Sequence, residues 1–298
     1  MQAGTINPLS FFNQLHPLTV LVYFVELFIL LLLFNHLIVT VGLLIAVLGL
    51  CSYYFDWIKV WHLFVGSSSL MFLVIIFNLL LNQQGTQVLW QVKWKWLQFR
   101  LMESATIYGL TMACSLGAMI VTFVLLNGVL TTPKLSFLLF PIVPRLAMLL
   151  TISLRLVDLF IQQIKRLVRL QKTRNLVVSE GTLRQRLEKM GRLLRIMLVT
   201  AVSNAMETAI LMEARGFGTH KRTQYQRFHF RLVDDLCISL TLVWFALIII
   251  LRLLGWGWTS DVTQLVWGTG QDWLLLILSG SLTLLPLLGE GGYRLCAN

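Results

Sequence analysis

Charge is what this sequence has least of: 12% of its 298 residues are Asp, Glu, Lys or Arg, while 57% are apolar. A soluble domain carries about 25% charged and about 45–50% apolar residues, so a soluble enzyme, a secreted scaffold and a disordered tail are excluded. Cysteine is also sparse. Cys51, Cys114, Cys237 and Cys296 stand apart without metal-ligand or redox spacing, and they read as small packing residues. The first 17 residues contain no Lys or Arg, so the positive n-region of a signal peptide is missing. No G-x-x-x-x-G-K-[ST] occurs, so any ATP chemistry must come from another chain. The five histidines, His16, His36, His62, His220 and His229, form no H-E-x-x-H or comparable pair. Two of them, His220 and His229, lie among arginines that would repel a metal ion. No catalytic residue, metal or cofactor is therefore expected on this chain.

What is present is a series of apolar runs, at about 18–35, 36–55, 61–81, 104–128, 135–157, 234–254 and 272–288. A helix needs about 20 such residues to cross the hydrocarbon core. The fold class expected is all-α, a polytopic membrane protein with about six spans, or seven if the short last run crosses. Asn35 and His36 alone part the first two runs, which fits either a tight hairpin or one bent helix. Pro141 and Pro144 should kink the fifth run. The last contains Gly280 and ends at Pro286, so a re-entrant or interfacial path is open to it.

The net charge of +11 is concentrated: Arg155 to Arg231 holds 16 basic and 5 acidic residues. Lys/Arg bias places that block in the cytoplasm. Counting back through the spans puts the loop with Lys93, Lys95 and Arg100 on the same side and the N-terminus outside. In that loop, Trp90-Gln-Val-Lys-Trp-Lys-Trp96 alternates aromatic and basic residues. Beside a lipid-embedded span this reads as an interfacial belt, with indoles at headgroup level and lysines on anionic lipid. Membrane lipid is thus an expected partner, and nucleic acid, which such a stretch serves elsewhere as a stacking platform, is not.

The basic block reads as helices. From Asp158 to Leu176, apolar and basic residues interleave at roughly the helical period, extending the fifth run as an amphipathic helix. Asn175 and Ser179-Glu-Gly181 break it, and a second helix begins near Thr182, with Leu183, Leu187, Met190, Leu194 and Met197 as its stripe. Residues 193–212 are apolar enough to cross. Basic clusters on both sides and the polar stripe Ser203, Asn204, Glu207 and Thr208 favour a helix that does not. Gly216 is a left-handed C-cap signature, which makes Arg215 the last side chain before the turn. That arginine either complements the helix dipole, worth about 0.3–1 kcal/mol, or offers its planar donor fork to a partner's groove. Among the acids, Glu103 pairs with Arg100 and Asp158 with Arg155 by spacing. Mid-span Glu26 has no local partner and should face another helix or a partner subunit.

Ser203-Asn-Ala-Met-Glu-Thr-Ala-Ile-Leu-Met-Glu-Ala-Arg-Gly-Phe217 resembles the signature of the transmembrane T component of energy-coupling factor transporters, the cobalt-transporter Q-type family. Thr131-Thr-Pro-Lys-Leu135 and the stretch from Pro144 to Leu156 resemble that family's approach to its first coupling helix. Gln171-Lys-Thr-Arg-Asn175 falls where the family has its first Arg-containing motif, usually Ala-Arg-Gly. His16-Pro-Leu-Thr19 resembles the start of its first span, and Asp234-Asp235 the start of the span after the coupling region. Thr173 and Asn175 replace the family's small residues, Val157-Asp158 stands where Pro is frequent, and Val20 stands where Lys is common.

The resemblance implies a non-catalytic subunit of an ATP-driven importer in a prokaryotic cell membrane. It implies coupling motifs at Thr173, Arg174, Asn175 and at Ala214, Arg215, Gly216, with Glu207, Met212, Glu213 and Phe217 supporting the second. The partners implied are two ABC-type ATPase subunits, which hold ATP and Mg, and an S component that chooses a vitamin or metal ion. The implied organisation is a transmembrane helical domain at 1–157, a cytoplasmic coupling-helix domain at 158–232, and C-terminal transmembrane segments at 233–298. The other reading of the residues is a polytopic membrane enzyme acting on lipid-linked substrates, its basic face holding phosphate headgroups.

Overall fold

A computed structural model describes residues 11–82, 88–94, 97–141, 143–173, 182–216, 230–257 and 270–297. Its helices are α1 (Phe11–Gln14), α2 (Pro17–Leu33), α3 (Leu37–Tyr54), α4 (Trp57–Leu81), α5 (Glu103–Val129), α6 (Thr132–Leu139), α7 (Pro144–Thr173), α8 (Leu183–Ala214), α9 (Leu232–Leu253) and α10 (Gly270–Ala297). Between α4 and α5 lies a short antiparallel hairpin, β1 (Val88–Trp94) and β2 (Leu97–Met102). The all-α expectation holds, with this ribbon as its one local exception among the described residues. The chain divides into two units, Met1–Thr131 with Phe228–Asn298, and Thr132–Arg227.

In the first unit the core is built around α5. Its inward face is lined by small residues, Ala105, Gly109, Ala113, Gly117 and Ala118, which let α2, α3 and α4 approach closely. A Cβ on Gly117 would lie 2.6 Å from Met71 Sδ, and one on Gly42 of α3 would lie 2.7 Å from Leu276 of α10. On α4, by contrast, only Val60 and Ser67 are buried, as suits a helix that faces lipid. Phe34, Asn35 and His36 separate two distinct helices, so the bent-helix alternative is excluded. They do not zip together: α2 packs on α5 and α9, α3 on α5 and α10.

Both ends of this unit are fastened by buried polar groups. At the end where α2 begins, Asp234 is 2% exposed. It accepts from the His16 backbone N–H at 2.7 Å, from Thr19 Oγ1 at 3.4 Å and from the Arg231 N–H at 3.0 Å. One carboxylate thereby satisfies orphan donors at the N-termini of both α2 and α9. Glu290 near the end of α10 accepts from the Phe11 N–H at 2.7 Å and from the Tyr54 hydroxyl at 3.5 Å, so it belongs to the same end. At the opposite end His36 Nδ1 stands 3.9 Å from Asp272 Oδ1. Arg252 there lies over the Phe34 ring and donates to the carbonyls of Trp256 and Gly257.

These contacts fix which helix ends of the first unit lie together, and they correct the loop count. The run 135–157 is not one kinked span: α6 stops at Leu139, and α7 starts afresh at Pro144, where proline has no amide to lose. One crossing therefore drops out. α5 runs from the far end back to the end where α2 begins, as its contacts with Asn78, Met71 and Leu44 require. The hairpin that precedes α5 lies at the far end, opposite the point where the chain enters α9 behind the basic block. Lys93 and Arg100 are thus not on the side of Arg231, and the start of α2 is.

By length and composition α3, α4, α5, α8, α9 and Gly270–Gly291 of α10 could each cross a membrane, and α2 is apolar but one residue short of that limit. Arg145, Arg155, Asp158, Lys165, Arg166 and Arg169 lie along α7, charges that disfavour a crossing by it. α10 is a continuous helix that contains Pro286, so the chain makes no re-entrant turn there. The Arg155–Asp158 pair is not formed; both side chains are exposed on α7, where water leaves little to gain from pairing. The side chain of Arg100, the expected partner of Glu103, lies outside the described residues.

Glu26 is 3% exposed on α2, neither carboxylate oxygen makes a hydrogen bond, and Thr241 of α9 is its polar neighbour. Two outcomes follow from this architecture. Asp234→Ala should cost about 1–3 kcal/mol for each buried donor left unpaired, read as a lower melting temperature of purified protein, while Asp234→Asn keeps one acceptor and loses less. Glu26→Gln should leave the melting temperature and uptake almost unchanged, since a neutral isostere fits the same interior. A steep loss of uptake with an altered pH profile would instead make Glu26 a proton carrier.

Candidate functional site

The second unit is built on α7 and α8, which pack on each other, with α6 against α7. Its own core is slight: Ala147 and Lys134 are buried, and no residue of α8 is. Thr182 is the N-cap of α8, and its N–H donates to Gln185 Oε1 at 3.3 Å, as the break after Gly181 foretells. The helix then runs 32 residues, about 48 Å at 1.5 Å per residue. The apolar stripe read from the sequence is present but uncovered, with Leu183, Leu187, Met190 and Leu194 all exposed. Val157, Ile161 and Ile164 on α7 are exposed as well. The two long helices thus leave apolar faces exposed beside basic residues.

The C-terminus of α8 has the geometry that Gly216 predicts. The Arg215 N–H donates to the Leu211 carbonyl at 3.2 Å, and the Gly216 N–H to the Glu213 carbonyl at 2.9 Å. Gly216 adopts φ 71°, the left-handed conformation that a Cβ disfavours. Ala214, Arg215 and Gly216 are all exposed, so the guanidinium stands at a tip with one methyl group and one bare backbone beside it. Among the described residues its side chain forms no ion pair. Glu207 and Glu213 are exposed on the same helix and Met212 is half-buried. Thr173 is the last residue of α7; Arg174, Asn175 and Phe217 lie outside the described residues. Arg215 closes the far end of α8.

Sequence reasoning missed how His16-Pro-Leu-Thr19 and Asp234-Asp235 are related. The structure brings them together as one clasp, so this pair of motifs is explained by helix-end satisfaction and not by a ligand. An acid three residues into a helix was the available signal. Its second partner, 218 residues away, was not legible.

The sequence model of the cobalt transport protein family CbiQ matches residues 10–225. The energy-coupling factor transporter transmembrane protein EcfT of Staphylococcus aureus is 27% identical over 250 residues, 78% of this chain and 89% of that protein. EcfT of Lacticaseibacillus paracasei is 28% identical over 212 residues, 65% of this chain and 77% of that protein. EcfT of Bacillus selenitireducens is 32% identical over 111 residues, 37% of this chain and 41% of that protein.

Because φ at Gly216 is 71°, Gly216→Val should strain the tip by about 1–2 kcal/mol. Amide exchange in the last turn of α8 should then accelerate by about 5–30-fold, while exchange in the first turns of α8 stays unchanged.

Proposed function

We propose that this chain, which belongs to the cobalt transport protein family CbiQ and is the transmembrane component of an energy-coupling factor transporter, carries ATP-driven motion from two ATPase subunits to a substrate-binding membrane partner. The observation that carries the reading is Arg215, an exposed arginine that closes a long helix, between Ala214 and the left-handed Gly216. A planar fork held on a narrow tip fits a groove lined by carboxylates or carbonyls, where two donors engage at once. Arg174, placed just after the end of α7, is the corresponding group for the other ATPase. Each tip docks in one ATPase subunit.

The chain's part in the cycle is mechanical. ATP and Mg belong to the partner subunits, whose closure displaces the arginine tips. Rigid helices transmit a displacement along their length, because every backbone hydrogen bond lies within the helix. The exposed apolar stripes of α7 and α8 then deliver it to the S component, which releases its vitamin or metal ion inward. Glu207, Met212, Glu213 and Phe217 hold the second tip in position, and Thr173 and Asn175 flank the first. The substrate is chosen by the S component.

Truncating an arginine buried against partner acids leaves those acids unpaired and costs about 2–5 kcal/mol, whereas an exposed ion pair contributes about 1 kcal/mol or less. Arg215→Ala should therefore abolish most uptake while membrane insertion stays normal, through lost ATPase co-purification or through hydrolysis uncoupled from transport. Arg215→Lys should rescue only partly, since a point charge lacks the fork. Uptake that survives Arg174→Ala combined with Arg215→Ala at normal expression would reduce both tips to solvated helix ends.

A further inference from the structure

Within the first unit, α3 and α4 leave a cleft between them. Both pack along α5 and touch each other little, although only Phe55 and Asp56 part them in the chain. The cleft encloses about 380 Å³, within the size range of small-molecule pockets. Ile45, Gly49 and Ser52 of α3 stand on one side of it, and Trp57, Trp61 and Phe64 of α4 on the other. The Ser52 hydroxyl is turned onto its own helix, where it donates to the Gly49 carbonyl at 2.8 Å. A Cβ on Gly49 would meet nothing within 4 Å, so the glycine opens the cleft at its middle.

The depth of the cleft follows from its neighbours. Tyr54 donates to Glu290, so α3 ends and α4 starts at the end of the unit where α2 begins. Ile45 to Ser52 and Trp57 to Phe64 each cover about 10 Å of helix, against about 15 Å for half a hydrocarbon core. Both helices are long and apolar enough to cross a membrane. The cleft therefore spans most of one leaflet, with its mouth at the helix ends. Trp57 there is 73% exposed and Trp61 59%, as suits indoles at the headgroup boundary.

Asp56 immediately precedes Trp57, and Lys59 reaches back to it, Nζ to Oδ2 at 3.4 Å. Both side chains are more than half exposed, so the pair gains little from its own attraction, and each group keeps bonding capacity for a further partner. Two opposite charges side by side match a zwitterionic headgroup, and they offer an anionic one a partner and a repulsion together. A partner helix fits less well. Helices that associate in a bilayer meet on small residues, whereas the α4 side is indole and phenyl, with the Trp61 and Phe64 rings 6.2 Å apart.

We propose that this cleft binds one zwitterionic aminophospholipid, its acyl chain between α3 and α4, its phosphate at Lys59 and its ammonium at Asp56. The lipid fills the gap that α3 and α4 leave beside α5 and holds the start of α4 at fixed depth.

Native mass spectrometry of the full chain in mild detergent tests this, with phosphatidylethanolamine and phosphatidylglycerol of matched acyl chains titrated separately. One phosphatidylethanolamine should be retained in preference to phosphatidylglycerol. Gly49→Leu puts a side chain into the open space and should remove that retained lipid, while the helix itself accepts leucine better than glycine. Asp56→Asn combined with Lys59→Gln changes exposed groups alone and should reduce the preference between the two lipids by about fivefold. In native membranes a benzophenone amino acid in place of Ile45 should give a cross-link of phospholipid mass. Equal retention of both lipids, or a preference for phosphatidylglycerol, would overturn the proposal. So would a preference that survives both Gly49→Leu and the double change, since the lipid would then sit elsewhere. A cross-link of protein mass would give the cleft to another chain and overturn it too. None of these readouts depends on uptake or ATPase coupling.

Discussion

A helix end in or beside a bilayer cannot leave its amides unmet, and in this protein one carboxylate answers for two such ends. Asp234 receives the His16 N–H and the Arg231 N–H while itself 2% exposed. Removal from water makes each of these bonds expensive to leave unmade, so α2 and α9 start at the same end of the unit. Glu290 ties the approach to α2 and the end of α3 to the end of α10. At the other end His36, Asp272, Arg252 and Phe34 form a second set of fastenings. The spans between are held by shape, with glycine and alanine on α5 allowing backbones to close on one another.

From that clasp the rest of the topology follows. α2 and α9 begin, and α5 ends, at the same end of the first unit. The hairpin between α4 and α5 is left at the opposite end. The second unit is a pair of long helices with exposed apolar stripes and basic flanks.

Parts of the candidate site are readable at a glance because they are local. A glycine after a long periodic segment announces a left-handed cap, and Gly216 has one. Thr182 with Gln185 three residues on announces a helix start, and α8 begins there. The Arg155–Asp158 spacing misled, since a favourable interval on an exposed helix does not make a pair worth forming.

The sequence by itself determined which segments dissolve in lipid, where the positive charge collects, and where individual helices start and stop. Each of these is a sum over neighbouring residues: transfer free energy over about 20 positions, loop charge within reach of a span, or a cap within one turn. Sidedness is of another kind. It depends on the parity of all crossings, so the single misread run at 135–157, broken between Leu139 and Pro144, exchanged the ends of the first unit at which the start of α2 and the Lys93–Arg100 loop lie relative to Arg231. Only the tertiary structure decided it, because the deciding contact joins His16 to Asp234 across 218 residues. No periodicity or composition encodes an interaction between groups so far apart in the chain.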